Sequence, residues 1–299
     1  MRAIFKDSNL QKQFNNDGFV TIPNLLNEDT VNQLIDIYSK SHEDFSDSGF
    51  YCTLYTSSVD KKQWMSTAVK TLLSPLVSEY IIKYKPLVID FPVKGPNTKG
   101  DVAMHQDWTF VDENKYVSIN VWIPLIDVTD KNGAYYVLKG SNKLAQTIRG
   151  SHLVLPCNLI KQKVKYKNMC YLPMKAGDAI IYDHRLMHRT PPNNSDEKRI
   201  AVSLNIIPEE AKAIHYYQHE NDNRVELLEI EPDFFVKYTY NPMVKNNKLP
   251  EETKSIGLVQ DYKPVYFTER QVMKLYNNKN LFQKIRVNIN SWNSSKQYT

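Results

Sequence analysis

Two hydrophobic patterns divide the chain near residue 86. Before it, apolar side chains recur three and four positions apart, which predicts helices with one buried face. After it, residues 86–207 form short β-branched and aromatic runs separated by Gly, Pro and Asn, which predicts short strands and tight turns. Many short strands joined in this way favour a sandwich or barrel. We therefore predict a mainly β core over about 86–207, flanked by helices, with residues 1–85 as helical support.

Three helices are predicted in the N-terminal part. The first ends at 15–18, where Asn, Asp and Gly signal a stop, and it leads into a brief strand over 19–23. The second is capped by Asn27 and carries an apolar face that should pack on a sheet. The third covers 64–84 and is predicted to bend or break at Pro75, because proline has no backbone N–H to donate.

Within the β core, strands are predicted over 86–93, 116–123 and 134–138. Asn132 and Gly133 come just before the last of these and form a sequence typical of a two-residue hairpin turn. In the middle strand, alternation places Ser118, Asn120 and Trp122 on one face.

Residues 208–299 form a C-terminal extension of mixed, polar sequence with one predicted helix over 268–276. It contains no repeat and no chemical motif. Packing against the core is the favoured interpretation, and a lid over a substrate is the alternative. No linker separates two composition regimes, so residues 1–299 are predicted to form a single domain.

Composition narrows the classes of partner. The net charge of +5, from 38 basic and 33 acidic residues, comes without a basic run interleaved with aromatics, so we expect no nucleic-acid binding. Three scattered cysteines are too few for a disulfide framework or a zinc cluster and indicate reduced thiols. No apolar stretch approaches the roughly 20 residues of a membrane span. We expect a cytoplasmic protein whose partner is a small molecule.

His105 and Asp107 are the first candidate metal ligands. Side chains two apart on a strand point to the same face, so an imidazole and a carboxylate can meet at one point. A third ligand must come from elsewhere, and His184 and His188 are both available, four residues apart and therefore equivalent by strand alternation. Two His and one carboxylate on one face of an octahedron suit a non-haem Fe(II) oxygenase, because three positions stay open.

Several of these features together resemble the phytanoyl-CoA dioxygenase family of Fe(II)/2-oxoglutarate oxygenases. The similarity covers about residues 5–207, and it rests on the helix-strand-helix opening, the His105 to Asp107 motif, the strand with Trp122 and the segment from His188 to Arg199. The resemblance implies a double-stranded β-helix, a jelly-roll or cupin-like barrel with helices outside one sheet. It also implies Fe(II), 2-oxoglutarate and O₂ as cofactor and co-substrates.

Site residues follow from the same resemblance. It implies His188 as the third ligand, because Arg199 follows it by eleven residues, the interval at which the family places the Arg that grips 2-oxoglutarate. A guanidinium suits that role because it forms two parallel hydrogen bonds to a carboxylate. The catalytic metal ligands are thus predicted as His105, Asp107 and His188. Further co-substrate contacts are predicted at Ser118, Asn120, Thr190 and Lys94.

Three functions remain open at this level. The first is hydroxylation of an unactivated C–H bond in a small metabolite, such as an amino acid or an amino-acid-derived intermediate, with 2-oxoglutarate converted to succinate and CO₂. The second is a cupin-like metal-binding isomerase, and the third is a non-catalytic jelly-roll binding protein. The His, Asp, His and Arg pattern favours the first.

Other charged and aromatic residues near the motifs have two interpretations each. Asp112, Glu113, Arg149, Arg185 and Arg189 are candidates for recognition of a charged substrate, or they are solvated surface charge. Trp122 is predicted to be core. Trp108 should point away from the ligands unless the strand bends after Asp107.

Overall fold

A computed structural model describes residues 2–41, 49–98, 100–144, 146–219, 223–238 and 249–276. The helices within these ranges are α1 (Ser8–Asp17), α2 (Glu28–Ser41), α3 (Val59–Ser78), α4 (Phe234–Lys237) and α5 (Glu269–Tyr276). The strands are β1 (Phe19–Ile22), β2 (Phe50–Cys52), β3 (Tyr84–Asp90), β4 (Pro92–Lys94), β5 (Val102–His105), β6 (Ile119–Pro124), β7 (Tyr135–Val137), β8 (Gly150–Ser151), β9 (Cys170–Leu172), β10 (Ala179–Asp183), β11 (His188–Thr190), β12 (Arg199–Pro208), β13 (Ile214–Gln218), β14 (Val225–Glu229) and β15 (Lys254–Val259).

Two antiparallel sheets form the β core. The larger has the order β1-β10-β6-β12-β4-β2, with β3 also paired to β12, and the smaller has the order β5-β11-β7-β9. Apolar side chains from both sheets, including Trp122 and Ile180 from the larger and Tyr135 and Val137 from the smaller, share one buried cluster. The fold is the predicted double-stranded β-helix, with two facing sheets that do not close into a barrel.

The N-terminal helices cover the outer face of the larger sheet. Leu34 on α2 and Val69 and Leu73 on α3 are fully buried in one cluster with outward side chains of β3, β6, β10 and β12. Burying apolar area of this kind stabilises a fold by about 25 cal/mol per Å². The inner face of the sheet carries polar side chains such as Asn120, Ser203 and Asn205 beside the apolar cluster, and the candidate ligands lie on this side.

Helix α1 and helix α2 match their predictions. Gly18 ends α1 in the left-handed conformation, with φ of 84°, and Asn27 accepts a hydrogen bond from the N–H of Thr30 at the start of α2. The prediction for α3 is wrong in its bounds and in its break. It begins at Val59, and it continues through Pro75 to Ser78. Packing on the sheet offsets the cost of one missing backbone hydrogen bond.

The predicted hairpin at Asn132 and Gly133 is wrong. The two residues do lie in a tight turn, and Gly133 has a φ of 93°. However, the preceding strand β6 pairs with β10 and β12, whereas the following strand β7 pairs with β9 and β11. The turn therefore carries the chain from one sheet to the other.

The described part of the C-terminal extension packs against the core, as favoured from the sequence. Strands β13, β14 and β15, which the sequence pattern did not reveal, form a third sheet with β8. Phe234 and Phe235 of α4 join a buried cluster with Leu87 and Ile207 of the β core. The predicted helix is confirmed as α5. None of the described helices is long and apolar enough to cross a bilayer.

Candidate metal centre

His105, Asp107 and His188 converge between the two sheets. The Nε2 atoms of His105 and His188 lie 3.6 and 3.7 Å from Oδ1 of Asp107, and one ligand atom from each residue lies within 4.8 Å of the others. Strand pairing explains the convergence, because His188 of β11 sits directly opposite His105 of β5. The other carboxylate oxygen, Oδ2 of Asp107, is buried and has no hydrogen-bond partner among the described residues. A cation at this point would satisfy it.

Both imidazoles are oriented by the same hydrogen bond. Nδ1 of His105 lies 2.9 Å from the carbonyl of Ala103, and Nδ1 of His188 lies 2.9 Å from the carbonyl of Leu186. A carbonyl only accepts, so each Nδ1 carries a proton and each Nε2 is the ring atom directed toward Asp107. Burial and the neighbouring His105 lower the pKa of His188 to about 4, which keeps it neutral. Neutral imidazole is the form that binds metal.

Two tyrosines missed at the sequence level hold the ring of His188. Tyr135 stacks on it with centroids 5.3 Å apart and planes 14° from parallel, and Tyr182 packs on it at 4.9 Å. The two hydroxyl groups lie 3.3 Å from each other. Tyr135 falls in a predicted strand, but nothing in the linear sequence indicates that β7 and β10 flank the same histidine.

Asp107 lies beyond the strand that was predicted to carry it. Strand β5 ends at His105, and the Asp107 N–H donates to the carbonyl of His184 at 3.0 Å. The Asp107 carbonyl accepts from Nε of Arg149 at 2.6 Å. Because the strand has ended, Trp108 turns toward the C-terminal extension and stacks on Phe235 at 5.9 Å.

Arg149 and Glu113 form a buried ion pair beneath this segment. Their side chains are 1% and 7% exposed, and Nη2 of Arg149 lies 2.5 Å from Oε1 of Glu113. The Arg149 main chain also exchanges hydrogen bonds with Thr109, through its carbonyl to the Thr109 N–H and its N–H to the Thr109 hydroxyl. The pair therefore fixes the backbone on which Asp107 is mounted.

We expect Arg149→Met to lower the free energy of unfolding by about 3–5 kcal/mol, because it leaves Glu113 buried without its cation. Fe(II) affinity should fall about tenfold or more as Asp107 loosens. Urea unfolding and metal titration measure the two effects. Lys163→Met is the matched control, since its pair with Glu269 is 58% and 61% exposed and should matter little. Equal stability of the two variants would contradict the role given to Arg149.

His184, the alternative third ligand, uses both ring nitrogens elsewhere. Its Nδ1 lies 2.8 Å from the hydroxyl of Ser118, and its Nε2 lies 2.9 Å from Oδ1 of Asn205. Burial lowers the pKa of His184 to about 4, so the ring is neutral and completes a buried polar network. Because both ring nitrogens of His184 are hydrogen-bonded to other side chains, the geometry favours His188 as the third ligand.

Arg199 lies on β12 with 1% of its surface exposed. Its guanidinium sits over the ring of Trp122 at 5.5 Å, and Nη1 donates to the carbonyl of Pro92 at 3.1 Å. Nε of Arg199 and the hydroxyl of Thr190 are both buried without a hydrogen-bond partner in the described part of the chain. A buried cation without a paired acid is costly. The Arg199 guanidinium and the Thr190 hydroxyl together fit a carboxylate of a bound co-substrate. Trp122 is core, as predicted, and also supports Arg199.

The other predicted co-substrate contacts are engaged with protein groups. Nζ of Lys94 donates to the carbonyls of Gly100 at 2.7 Å and Thr190 at 3.0 Å, and also to that of Pro191. Burial, with help from Arg199, lowers the pKa of Lys94 to about 6. Enclosed by three carbonyls, Nζ tethers two loops and has no donor directed at an anion.

Ser118 and Asn120 belong to the network around His184. Ser118 bonds to the His184 ring, as described. Asn120 donates to Oδ1 of Asn205 at 3.1 Å and accepts from the hydroxyl of Ser203 at 3.0 Å. These side chains line the inner face of the sheet, as the predicted alternation requires, but their hydrogen bonds go to one another.

Three arginines considered for substrate recognition are each paired with an acid. Arg149 pairs with Glu113, as described. Arg185 forms two hydrogen bonds with the Asp183 carboxylate, at 2.8 and 2.6 Å. Arg189 lies 3.2 Å from Asp101. Asp112 pairs with exposed Lys115. None of these arginines has its charge free for a ligand.

Comparison with known proteins agrees with this geometry. Residues 14–201 match the family model for phytanoyl-CoA dioxygenase, and the chain belongs to that family. A phytanoyl-CoA dioxygenase of Arabidopsis thaliana is 25% identical over 200 residues, which cover 66% of this chain and 63% of that protein. Phytanoyl-CoA dioxygenase 1 of Oryza sativa subsp. japonica is 30% identical over 157 residues, covering 51% and 54%. The aligned part is thus less than two thirds of either relative.

Solved structures share the fold. The epimerase SnoN, in complex with Fe³⁺, alpha ketoglutarate and nogalamycin RO, superimposes with a TM-score of 0.52 at 19% identity, over 69% of this chain and 84% of that one. The alpha ketoglutarate dependent carbocyclase SnoK gives 0.50 at 18% identity, over 69% and 86%. At these identities the likeness concerns the double-stranded β-helix alone.

Proposed function

We propose that this protein is an Fe(II)- and 2-oxoglutarate-dependent oxygenase. The observation that carries the proposal is one constellation between two sheets. Two imidazoles and one carboxylate face a common point, and Oδ2 of Asp107 has no hydrogen-bond partner in the described part of the chain. Arg199 is buried without an acidic partner among the described residues and rests on Trp122, whose ring contacts Tyr135 beside His188. The buried Thr190 hydroxyl also lacks a partner in the described ranges. The first group fits a divalent metal ion, and the second fits a carboxylate.

Each residue has a defined task in this proposal. His105, Asp107 and His188 would hold Fe(II) on one face and leave positions open. Arg199 would bind the distal carboxylate of 2-oxoglutarate through its planar fork, and the Thr190 hydroxyl would donate one further hydrogen bond to it. The bound iron supplies redox chemistry with O₂, in which 2-oxoglutarate becomes succinate and CO₂. The protein orients the substrate and excludes water.

Hydroxylation of an unactivated C–H bond in a small metabolite is the reaction we favour. Two features support it over a cupin-like isomerase, namely the carboxylate of Asp107 and the polar side chains that line the inner space. The isomerase interpretation also leaves the buried charge of Arg199 without an anion to bind. An amino acid or an amino-acid-derived intermediate fits a site that contains both a positive charge, on Arg199, and a negative charge, on Asp107.

Metal identity tests the proposal. With Fe(II), 2-oxoglutarate and air, the protein should form succinate at a rate that His188→Ala abolishes, because O₂ activation needs an ion that changes oxidation state. With Zn²⁺ in place of Fe(II), we expect no succinate above background. Succinate formation that is equal with both metals, or absent with Fe(II), would contradict an oxygenase function.

A further inference from the structure

Asp90 is an acidic side chain on the inner face of the larger sheet that no part of the proposed chemistry uses. It ends strand β3, between Ile89 and Phe91, which are both buried in the cluster under the helices. Successive side chains on a strand point to opposite faces, so Asp90 points into the space between the sheets. Unlike its two neighbours, Asp90 is partly exposed.

Strand register places Asp90 on the same face of the sheet as Trp122, the ring under Arg199. Asp90 pairs directly with Ser203 of β12, and Ser203 pairs in turn with Trp122 of β6. Directly opposed residues of antiparallel strands share a face. Trp122 is the ring on which the Arg199 guanidinium rests. The Asp90 carboxylate also lies within electrostatic reach of Asp107.

The Asp90 carboxylate has no cation of its own. Its neighbours are the Asp107 carboxylate and the Cys52 thiol, and neither carries a positive charge. No basic side chain of the described ranges forms an ion pair with it, and Arg199, which rests on Trp122, donates instead to the carbonyl of Pro92. Burial and then Asp107 raise the pKa of Asp90 to about 7, because its charged form is not compensated.

A charge balance of the loaded site leaves Asp90 in excess. Two positive charges of Fe(II) and one of Arg199 offset one negative charge of Asp107 and two of 2-oxoglutarate. When it is ionised, Asp90 adds a further negative charge in a space of reduced dielectric, where an uncompensated charge is unfavourable. An incoming ligand that carried a positive charge would remove this excess.

We propose that Asp90 is a specificity-determining residue that binds a protonated amine of the substrate, so that the substrate class is small cationic metabolites. This inference rests on the proposed function, since it takes the metal and 2-oxoglutarate as already bound. An ammonium group at Asp90 would present the neighbouring carbons of a small molecule to the open side of His105 and Asp107, whose side chains are 24% and 18% exposed.

Paired probes of equal length test the proposal by binding. We would titrate n-butylamine against 1-butanol, and putrescine against 1,4-butanediol, into the anaerobic Fe(II)–2-oxoglutarate protein and follow the change in its charge-transfer absorption. Each amine should bind at least about tenfold more tightly than its alcohol, as a charge-assisted contact in a partly buried site implies. Asp90→Asn should bind amine and alcohol alike, and Asp90→Glu should keep part of the preference.

Asp101→Asn is the matched control, because Asp101 is an acid near the same loops that pairs with Arg189 outside the inner space. It should keep the wild-type preference for amines. Affinity for 2-oxoglutarate should stay within about twofold in all variants, which shows that each is folded and loaded. Three results would overturn the role of Asp90. Wild type would bind amine and alcohol equally, wild type would bind neither, or Asp90→Asn would keep the preference for the amine. Absence of the charge-transfer band in wild type would instead defeat the proposed function itself.

Discussion

His188→Ala should bind Fe(II) at least about 100-fold more weakly than wild type, beyond the 10–100-fold that loss of an outer hydrogen bond to a ligand costs. The reason is geometric, since His188 supplies one of three atoms within 4.8 Å of one another and its Nε2 is already directed toward Asp107. Equilibrium dialysis or competition with a chelator under argon measures the change. The protein should remain folded, because a small side chain at a metal site leaves the strand pairs of β11 intact.

His184→Ala is the control that separates ligand from neighbour. It should keep Fe(II) affinity within a few-fold at temperatures where it is folded. Its free energy of unfolding should fall, by about 1–3 kcal/mol for each of the two partners, Ser118 and Asn205, that lose a buried hydrogen bond. If His184→Ala loses iron while His188→Ala keeps it, the assignment of the third ligand is wrong.

Arg199→Ala should weaken 2-oxoglutarate binding by about 30-fold or more while leaving Fe(II) affinity nearly unchanged. Losing a buried, bidentate charge-assisted contact typically costs about 2–5 kcal/mol, and about 1.4 kcal/mol corresponds to tenfold. Arg199→Lys should recover only part of the affinity, since an ammonium restores charge without the planar fork. Titration of 2-oxoglutarate into the anaerobic Fe(II) protein gives both dissociation constants.

Arg189→Ala is the matched control for this experiment. Arg189 follows the proposed ligand His188 directly, but it points to the other face of β11, where it lies 3.2 Å from Asp101 and stacks over Tyr166 at 4.0 Å. Its loss should change 2-oxoglutarate affinity by no more than about threefold. A similar loss of affinity in both variants would mean that long-range charge, not a specific contact, attracts the co-substrate.

Much of this site could be predicted from local sequence. The motif from His105 to Asp107 identified two of the three converging side chains, although the strand argument was only partly right, since β5 ends at His105 and Asp107 is held by backbone hydrogen bonds. Helix caps at Gly18 and Asn27 followed from conformational preference alone, which acts within a few residues.

What sequence reasoning missed depends on contacts between distant strands. Tyr135 and Tyr182 flank His188 only because β7 and β10 approach the same ring from different sheets. Arg149 reaches Asp107 from a loop forty-two residues away, and its sequence neighbourhood gives no sign of that. Asp90 stood unmarked in a predicted strand, because the strand register that turns it toward the inner face, and the lack of an ion pair there among the described residues, are visible only in the folded chain.

Anaerobic titration of 2-oxoglutarate into the wild-type Fe(II) protein tests the central claim most directly. If His105, Asp107 and His188 hold iron with open positions and Arg199 holds the far carboxylate, a charge-transfer absorption should appear and saturate at about one 2-oxoglutarate per iron. The same titration should give no band with Zn²⁺. Stoichiometric iron in the site without any such band, at saturating 2-oxoglutarate, would contradict the proposed oxygenase.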